Sequence, residues 1–240
     1  MIGLLGCDKR LEVIYDKLKC FYEVIISDDL KKLQECDILV LPPAGVIDLD
    51  LNLNLKAKKI ITGRIVDELE EYAKKNDIIL TSYFDDEDYV IENAYLTVQV
   101  LLEIILKNVC AALSEYNILI LGYGYCGCLC ALNLKEHNLN LDIFTIDKLE
   151  SKYAKMYGFN HINNLDGINK YNLIINTIPH NIITSEKINL DALVFDIASY
   201  PYLLKDEKQS FTYLRLPKLP EKKLIESSTI LYQALCKKLG

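Results

Sequence analysis

The sequence predicts an α/β protein of two parallel-sheet domains joined by a long helix. Three observations predict it. Short apolar runs alternate with helical ones along the chain, the pattern of strand–helix–strand units that build parallel sheets. A long helical stretch, roughly Asp88 to Ser114, carries Leu101, Leu102, Ile104, Ile105 and Val109 on a broad apolar face. Just after it stands Asn117-Ile-Leu-Ile-Leu-Gly-Tyr-Gly-Tyr-Cys-Gly127, an apolar run broken by three glycines.

The elements follow in order. Expected strands in the first part are Ile2–Gly6, Tyr22–Ile26, Ile38–Leu41, Lys59–Thr62 and Ile78–Ser82. Helices between them are Lys9–Lys19, Asp29–Gln34 and Val66–Lys75, and residues 42–58 read as an Asp- and Asn-rich loop opened by Pro42-Pro43. The second array starts with a strand at Asn117, a helix Cys126–Glu136 and a strand Leu139–Ile146. Strands follow at Leu173–Asn176, Leu193–Asp196 and Phe211–Leu216, and a last helix at Leu224–Leu239. The expected division is 1–92, a connecting helix 93–112, a second domain 113–213, and 214–240 as a helix crossing back to the first.

The glycine run carries the functional reading. After a buried strand, Gly122 permits the tight turn, Gly124 lets backbone approach a pyrophosphate, and Gly127 lets the helix pack on the strand. The helix start then points unpaired N–H groups at the anion. Asp147, 20 positions beyond Gly127, ends the next strand, where a carboxylate accepts from an adenosine ribose. This is a Rossmann-type site with Gly122, Gly124, Tyr125, Cys126, Gly127 and Asp147 as cofactor-binding residues. A carboxylate at Asp147 repels a 2′-phosphate, so NAD is preferred and NADP is the alternative.

Composition excludes other classes. The net charge of −7 and the lack of a basic run argue against nucleic acid. No apolar run reaches membrane-spanning length, and Met1-Ile-Gly-Leu-Leu-Gly6 reads as a strand rather than a signal peptide. Eight cysteines lie in apolar segments, as reduced thiols of a cytoplasmic protein do. Cys126, Cys128 and Cys130 face different sides of one helix and lack a fourth ligand, so no metal is expected.

Several segments together resemble the dipicolinate synthase A-chain family over nearly the whole length. They are Gly6-Cys-Asp-Lys-Arg10, Leu41-Pro42, Ile91-Glu-Asn-Ala-Tyr-Leu-Thr97, Leu121-Gly-Tyr-Gly-Tyr-Cys-Gly127, Asn176-Thr-Ile-Pro179, Asp196-Ile-Ala-Ser199 with Pro201, and Leu219-Pro220. The resemblance implies a flavodoxin-like first domain and an NAD(P)-dependent oxidoreductase. With the second, flavoprotein-like component of that synthase it would form dipicolinate from a dihydro- or hydroxytetrahydrodipicolinate, in the mother-cell cytoplasm during sporulation, as an oligomer. The chain departs from the family where Thr-x-Glu-Gly becomes Thr97-Val-Gln99-Val100, Ser-x-Pro-Gly-Gly becomes Ser199-Tyr-Pro201-Tyr-Leu203, and Lys-Thr-Ala-Gly becomes Glu226-Ser-Ser-Thr229.

A dicarboxylate substrate needs cationic anchors. Arg10 and Arg64 follow expected strands, where open α/β sheets bind ligands, and Arg215 reads as structural. Asp8 either orients Arg10 or caps the first helix. Asn176, Thr177, Ile178 and Pro179 are expected beside the nicotinamide ribose, and Ala198 and Ser199 over the nicotinamide end. Ser199 either bonds a substrate carboxylate or, like Asp196, caps a helix. His180 is either a proton carrier or a loop histidine. Gln99, in place of the family's Glu, can hydrogen-bond but takes no proton. Two rivals remain: an NAD-binding scaffold or regulatory subunit with reduced catalysis, and a 2-hydroxyacid dehydrogenase-like enzyme.

Overall fold

β1 (Ile2–Leu5) is buried at all four positions, as a central parallel strand must be. It pairs in parallel with β2 (Val24–Ser27) and β3 (Ile38–Val40). β4 (Lys59–Thr62) and β5 (Ile79–Ser82) complete a five-stranded sheet in the order β2-β1-β3-β4-β5. That is the flavodoxin-like order, with its switch point between β1 and β3. The computed structural model describes residues 1–45, 53–137, 139–199, 201–205 and 210–240. The expected loop at 42–58 therefore lies partly outside the described residues, as do Asn138 and Tyr200.

α1 (Lys9–Leu18) buries Leu11, Ile14 and Leu18, spaced three and four apart on one face. α2 (Asp67–Lys75) buries only Leu69 and Ala73; its acids gather in the first turn and Lys74 and Lys75 in the last, as the helix dipole favours. The expected helix Asp29–Gln34 is instead a single 3₁₀ turn, Leu30–Leu33, capped by Asp29. A segment that short has too few hydrogen bonds to offset helix nucleation. The last helix, Leu224–Leu239, returns to this sheet: Leu231, Ala234 and Leu235 share one core with Ile2, Leu4, Leu11, Ile14 and Leu18.

α3 (Glu87–Asn108) ends short of the expected Ser114. Asn108 Nδ2 donates back to the Ile104 carbonyl at 2.8 Å, and Tyr116 OH accepts from the Cys110 amide at 3.2 Å, diverting it from the helix ladder. Against expectation, α3 is long and apolar enough to suit a bilayer span. Its apolar residues are used in packing: Tyr89 joins one core, and Val98, Leu101 and Ile105 join another.

The second sheet holds β6 (Asn117–Leu121), β7 (Asn140–Phe144), β8 (Asn160–Ile162), β9 (Leu173–Asn176), β10 (Leu193–Asp196) and β11 (Thr212–Arg215), all parallel. Their order, β11-β10-β9-β6-β7-β8, is the Rossmann order, and the direction of winding reverses between β6 and β9. α4 (Tyr125–Lys135) follows β6 and α5 (Lys148–Met156) follows β7; Leu224–Leu239 is α6. Neither α5 nor β8 is among the elements expected from the sequence. The chain divides into two compact units, Met1–Asn93 with Pro220–Gly240, and Ala94–Leu219. The division thus falls within α3, not at its ends, and β11 and its following turn stay with the second unit.

Leu235→Ala is expected to lower the unfolding free energy by about 2–5 kcal/mol, by lost transfer energy plus a residual cavity. Urea denaturation measures it. A cost below about 1 kcal/mol would show that α6 is not part of the first core.

Candidate functional site

The carboxyl end of β6 is built by close approach. Gly122 has φ +93, a left-handed conformation, and a Cβ there would lie 2.3 Å from Thr177 Oγ1. A Cβ at Gly127 would lie 2.2 Å from the Gly122 carbonyl oxygen. These two glycines are required by the protein itself. Gly124 is different. It is the N-cap of α4, with φ −68 and ψ −168, a conformation open to any residue. A Cβ there meets only Glu150 Oε1, at 3.7 Å. Nothing among the described residues forbids a side chain at 124, so the space over it is left open before the helix start. The amides of Tyr125 and Cys126 begin that helix, whose positive dipole end favours an anion. A dinucleotide pyrophosphate fits this donor set and this opening.

Cys126 and Cys130 are held protonated: burial pushes their thiols up to about 11 and about 12.

At the end of β7, Asp147 caps α5, its Oδ1 accepting from the Leu149 and Glu150 amides at 2.8 and 2.9 Å. Glu150, which no sequence motif singles out as a site residue, reaches the glycine turn. Its Oε2 accepts from the Tyr123 amide at 3.2 Å and from the Thr145 hydroxyl at 2.5 Å.

At β9 and β10 the side chains expected to meet the nicotinamide ribose are largely spent within the protein. Asn176 is fully buried. Its Nδ2 donates to Asp196 Oδ1 (2.9 Å) and to the Ile178 carbonyl (3.1 Å), and its Oδ1 accepts from the Ile178 amide (3.1 Å). The Thr177 hydroxyl donates to the Leu121 carbonyl at 2.8 Å. Both side chains thus order the turn, so of the two routes to a ribose open to Asn176 and Thr177, side chain or backbone, the first is used within the protein. Pro179 and His180 are exposed, and the His180 amide donates to the Ile178 carbonyl at 2.9 Å.

Asp196 caps no helix, because among the described residues the next element after β10 is the strand β11. Its buried carboxylate instead takes four donors. Oδ1 accepts from Asn176 and from the Ala198 amide (3.1 Å); Oδ2 accepts from the Leu203 amide (2.8 Å) and Tyr213 OH (2.5 Å). Ala198 is buried and Ser199 exposed on the loop so formed. Arg215, at the end of β11, lies over the rings of Tyr202 (4.8 Å to centroid) and Tyr213 (5.5 Å).

In the first unit, Asp8 both caps α1 and pairs with Arg10. Its Oδ1 accepts from the Arg10 amide (2.9 Å) and Nε (3.0 Å), and its Oδ2 from Nη2 (2.7 Å). Arg10 is only 4% exposed. One edge of its guanidinium fork is committed to Asp8, which therefore both caps α1 and orients Arg10, the two roles expected of it. Tyr89 packs nearby, its phenol pushed up to about 12 by burial, so the cluster stays neutral apart from the ion pair. Arg64 is exposed after β4, and Gln99 is half-buried on α3.

The comparisons with known proteins agree with this geometry at the level of fold. The A chain of dipicolinate synthase from Bacillus halodurans superposes with TM-score 0.81 at 19% identity, covering 100% of this chain and 97% of that one. The A chain of dipicolinate synthase from Bacillus subtilis gives 0.78 at 20% identity, covering 99% and 95%. NAD⁺-bound 3-phosphoglycerate dehydrogenase from Entamoeba histolytica gives 0.65 at 11% identity, covering 98% and 93%. In sequence, adenosylhomocysteinase from Thermoplasma volcanium is 31% identical over 90 residues, which span 36% of this chain and 22% of that enzyme. No protein-family model matches the chain.

Asp8→Ala is expected to cost about 3–5 kcal/mol of stability, because it strands a buried guanidinium and uncaps α1. Urea denaturation checks this. A cost under about 1 kcal/mol would mean the Arg10–Asp8 pair is not structural.

Proposed function

We propose that this chain is an NAD(P)-linked oxidoreductase of the dipicolinate synthase A-chain type, with NAD as its preferred nucleotide. The observation that carries the nucleotide reading is Gly124, a glycine at a helix start that the fold does not require. The TM-scores of 0.81 and 0.78 to dipicolinate synthase A chains support the choice of substrate class, a cyclic dicarboxylate such as dihydro- or hydroxytetrahydrodipicolinate. Bound NAD would supply the hydride acceptor. The amides of Tyr125 and Cys126 would hold its pyrophosphate. The loop backbone at Ile178–Pro179 and Ala198–Ser199, fixed by Asn176 and Asp196, would border its nicotinamide end. Ser199 in the second unit would bind a substrate carboxylate, Arg64 in the first unit is by itself a candidate carboxylate anchor, and alignment rather than acid–base chemistry would dominate the rate. A flavoprotein-like partner, oligomerisation and a cytoplasmic role in sporulation belong to the same proposal.

A second reading is favoured by specific residues. Gln99 takes no proton, and the Arg10 fork is tied to Asp8. These fit a nucleotide-binding subunit with reduced catalysis, with His180 as the one exposed candidate proton carrier at the β9 end.

Titrating the protein with NADH and NADPH, then assaying dihydrodipicolinate oxidation with and without the flavoprotein component of a dipicolinate synthase, separates the two. Turnover in either setting supports the oxidoreductase, and binding without turnover supports the scaffold. Gly124→Val tests the shared premise. It is expected to weaken NADH binding about tenfold or more, with a stability cost near that of a poor N-cap, about 1 kcal/mol. Unchanged NADH affinity would remove the dinucleotide site from this turn.

A further inference from the structure

Asp147 and Glu150 stand three apart, the spacing of a capping box, in which the second residue reaches back to the backbone N–H of the first. The structure departs from that arrangement. The Asp147 amide donates to Thr145 Oγ1 at 3.2 Å, and the Glu150 carboxylate turns away to the neighbouring glycine turn. There its Oε2 is fixed by the Tyr123 amide and the Thr145 hydroxyl, while Oε1 lies 3.7 Å from where a Gly124 Cβ would be. Asp147 Oδ1 is meanwhile held by two amides of α5.

A fixed carboxylate beside the opening over Gly124 has a chemical consequence. It accepts hydrogen bonds from a vicinal diol and repels a phosphomonoester in the same place. Two residues past β7, Ile146 is 87% exposed, an apolar surface suited to a purine face. We propose that Glu150, not Asp147, reads the adenosine ribose hydroxyls and excludes a 2′-phosphate. Thr145 and the Tyr123 amide are its positioning groups. This assignment rests on the dinucleotide reading given above.

Glu150→Gln keeps an acceptor for the Tyr123 amide but removes the charge, and Asp147→Asn keeps the N-cap. Direct titration of both variants and the unaltered protein with NADH and NADPH decides the matter. Glu150→Gln is expected to weaken NADH and to strengthen NADPH, shifting their affinity ratio about tenfold or more. Asp147→Asn is expected to shift that ratio less than about threefold. Equal loss of both nucleotides in Glu150→Gln overturns the assignment, as does a larger shift in Asp147→Asn, or an unaltered protein that prefers NADPH. An unaltered protein that binds neither nucleotide overturns the dinucleotide reading itself, before any variant is compared.

Discussion

The carboxyl edge of the second sheet depends on how closely α4 approaches β6. With no side chain at Gly127, the helix packs where a Cβ would lie 2.2 Å from the Gly122 carbonyl oxygen. Gly122 in turn adopts a left-handed turn against Thr177, whose hydroxyl holds the Leu121 carbonyl. This packing fixes the helix start over the end of the central strand. Gly124 and the amides of Tyr125 and Cys126 are then presented by geometry that the neighbouring residues enforce, and the open space over Gly124 is what remains. The site is thus a consequence of backbone packing more than of side-chain chemistry.

Buried carboxylates organise the backbone in each unit. Asp196 draws Asn176, Ala198, Leu203 and Tyr213 onto one side chain, tying the loops after β9 and β10 together. Asp8 does the same for α1 and Arg10 in the first unit. A carboxylate so fully donated to costs little to bury and much to disturb. Glu150 is the contrasting case: only half-buried, with one oxygen fixed and the other beside the glycine turn. The first two shape loops, whereas Glu150 is placed to discriminate among ligands.

Much of this fold was legible in the sequence wherever a short apolar run was fully buried. β4, β9, β10 and α6 fall on their expected residues because periodicity and burial coincide there. α5 escaped because only Ala154 of its nine residues is buried, too narrow a stripe to show as periodicity. α3 stops short of its expected end because Val109 to Ala112 suit a helix locally, while the side chains of Asn108 and Tyr116 end it through contacts that no local pattern displays. For the site, the three glycines were legible from spacing alone. Side-chain destinations were legible only in part: the pairing of Asp8 with Arg10 was among the expectations, whereas Asn176 and Thr177 turned inward and Glu150 left its capping-box position. The signal for Glu150 was present as Asp147-x-x-Glu150, but that spacing ordinarily implies a cap and nothing more.

The most direct measurement is a crystal structure of the protein with NAD⁺. The pyrophosphate is expected over Gly124, accepting hydrogen bonds from the Tyr125 and Cys126 amides at the start of α4. A nucleotide bound away from the Gly122–Gly127 turn, or bound there with its pyrophosphate out of reach of those two amides, would contradict that placement.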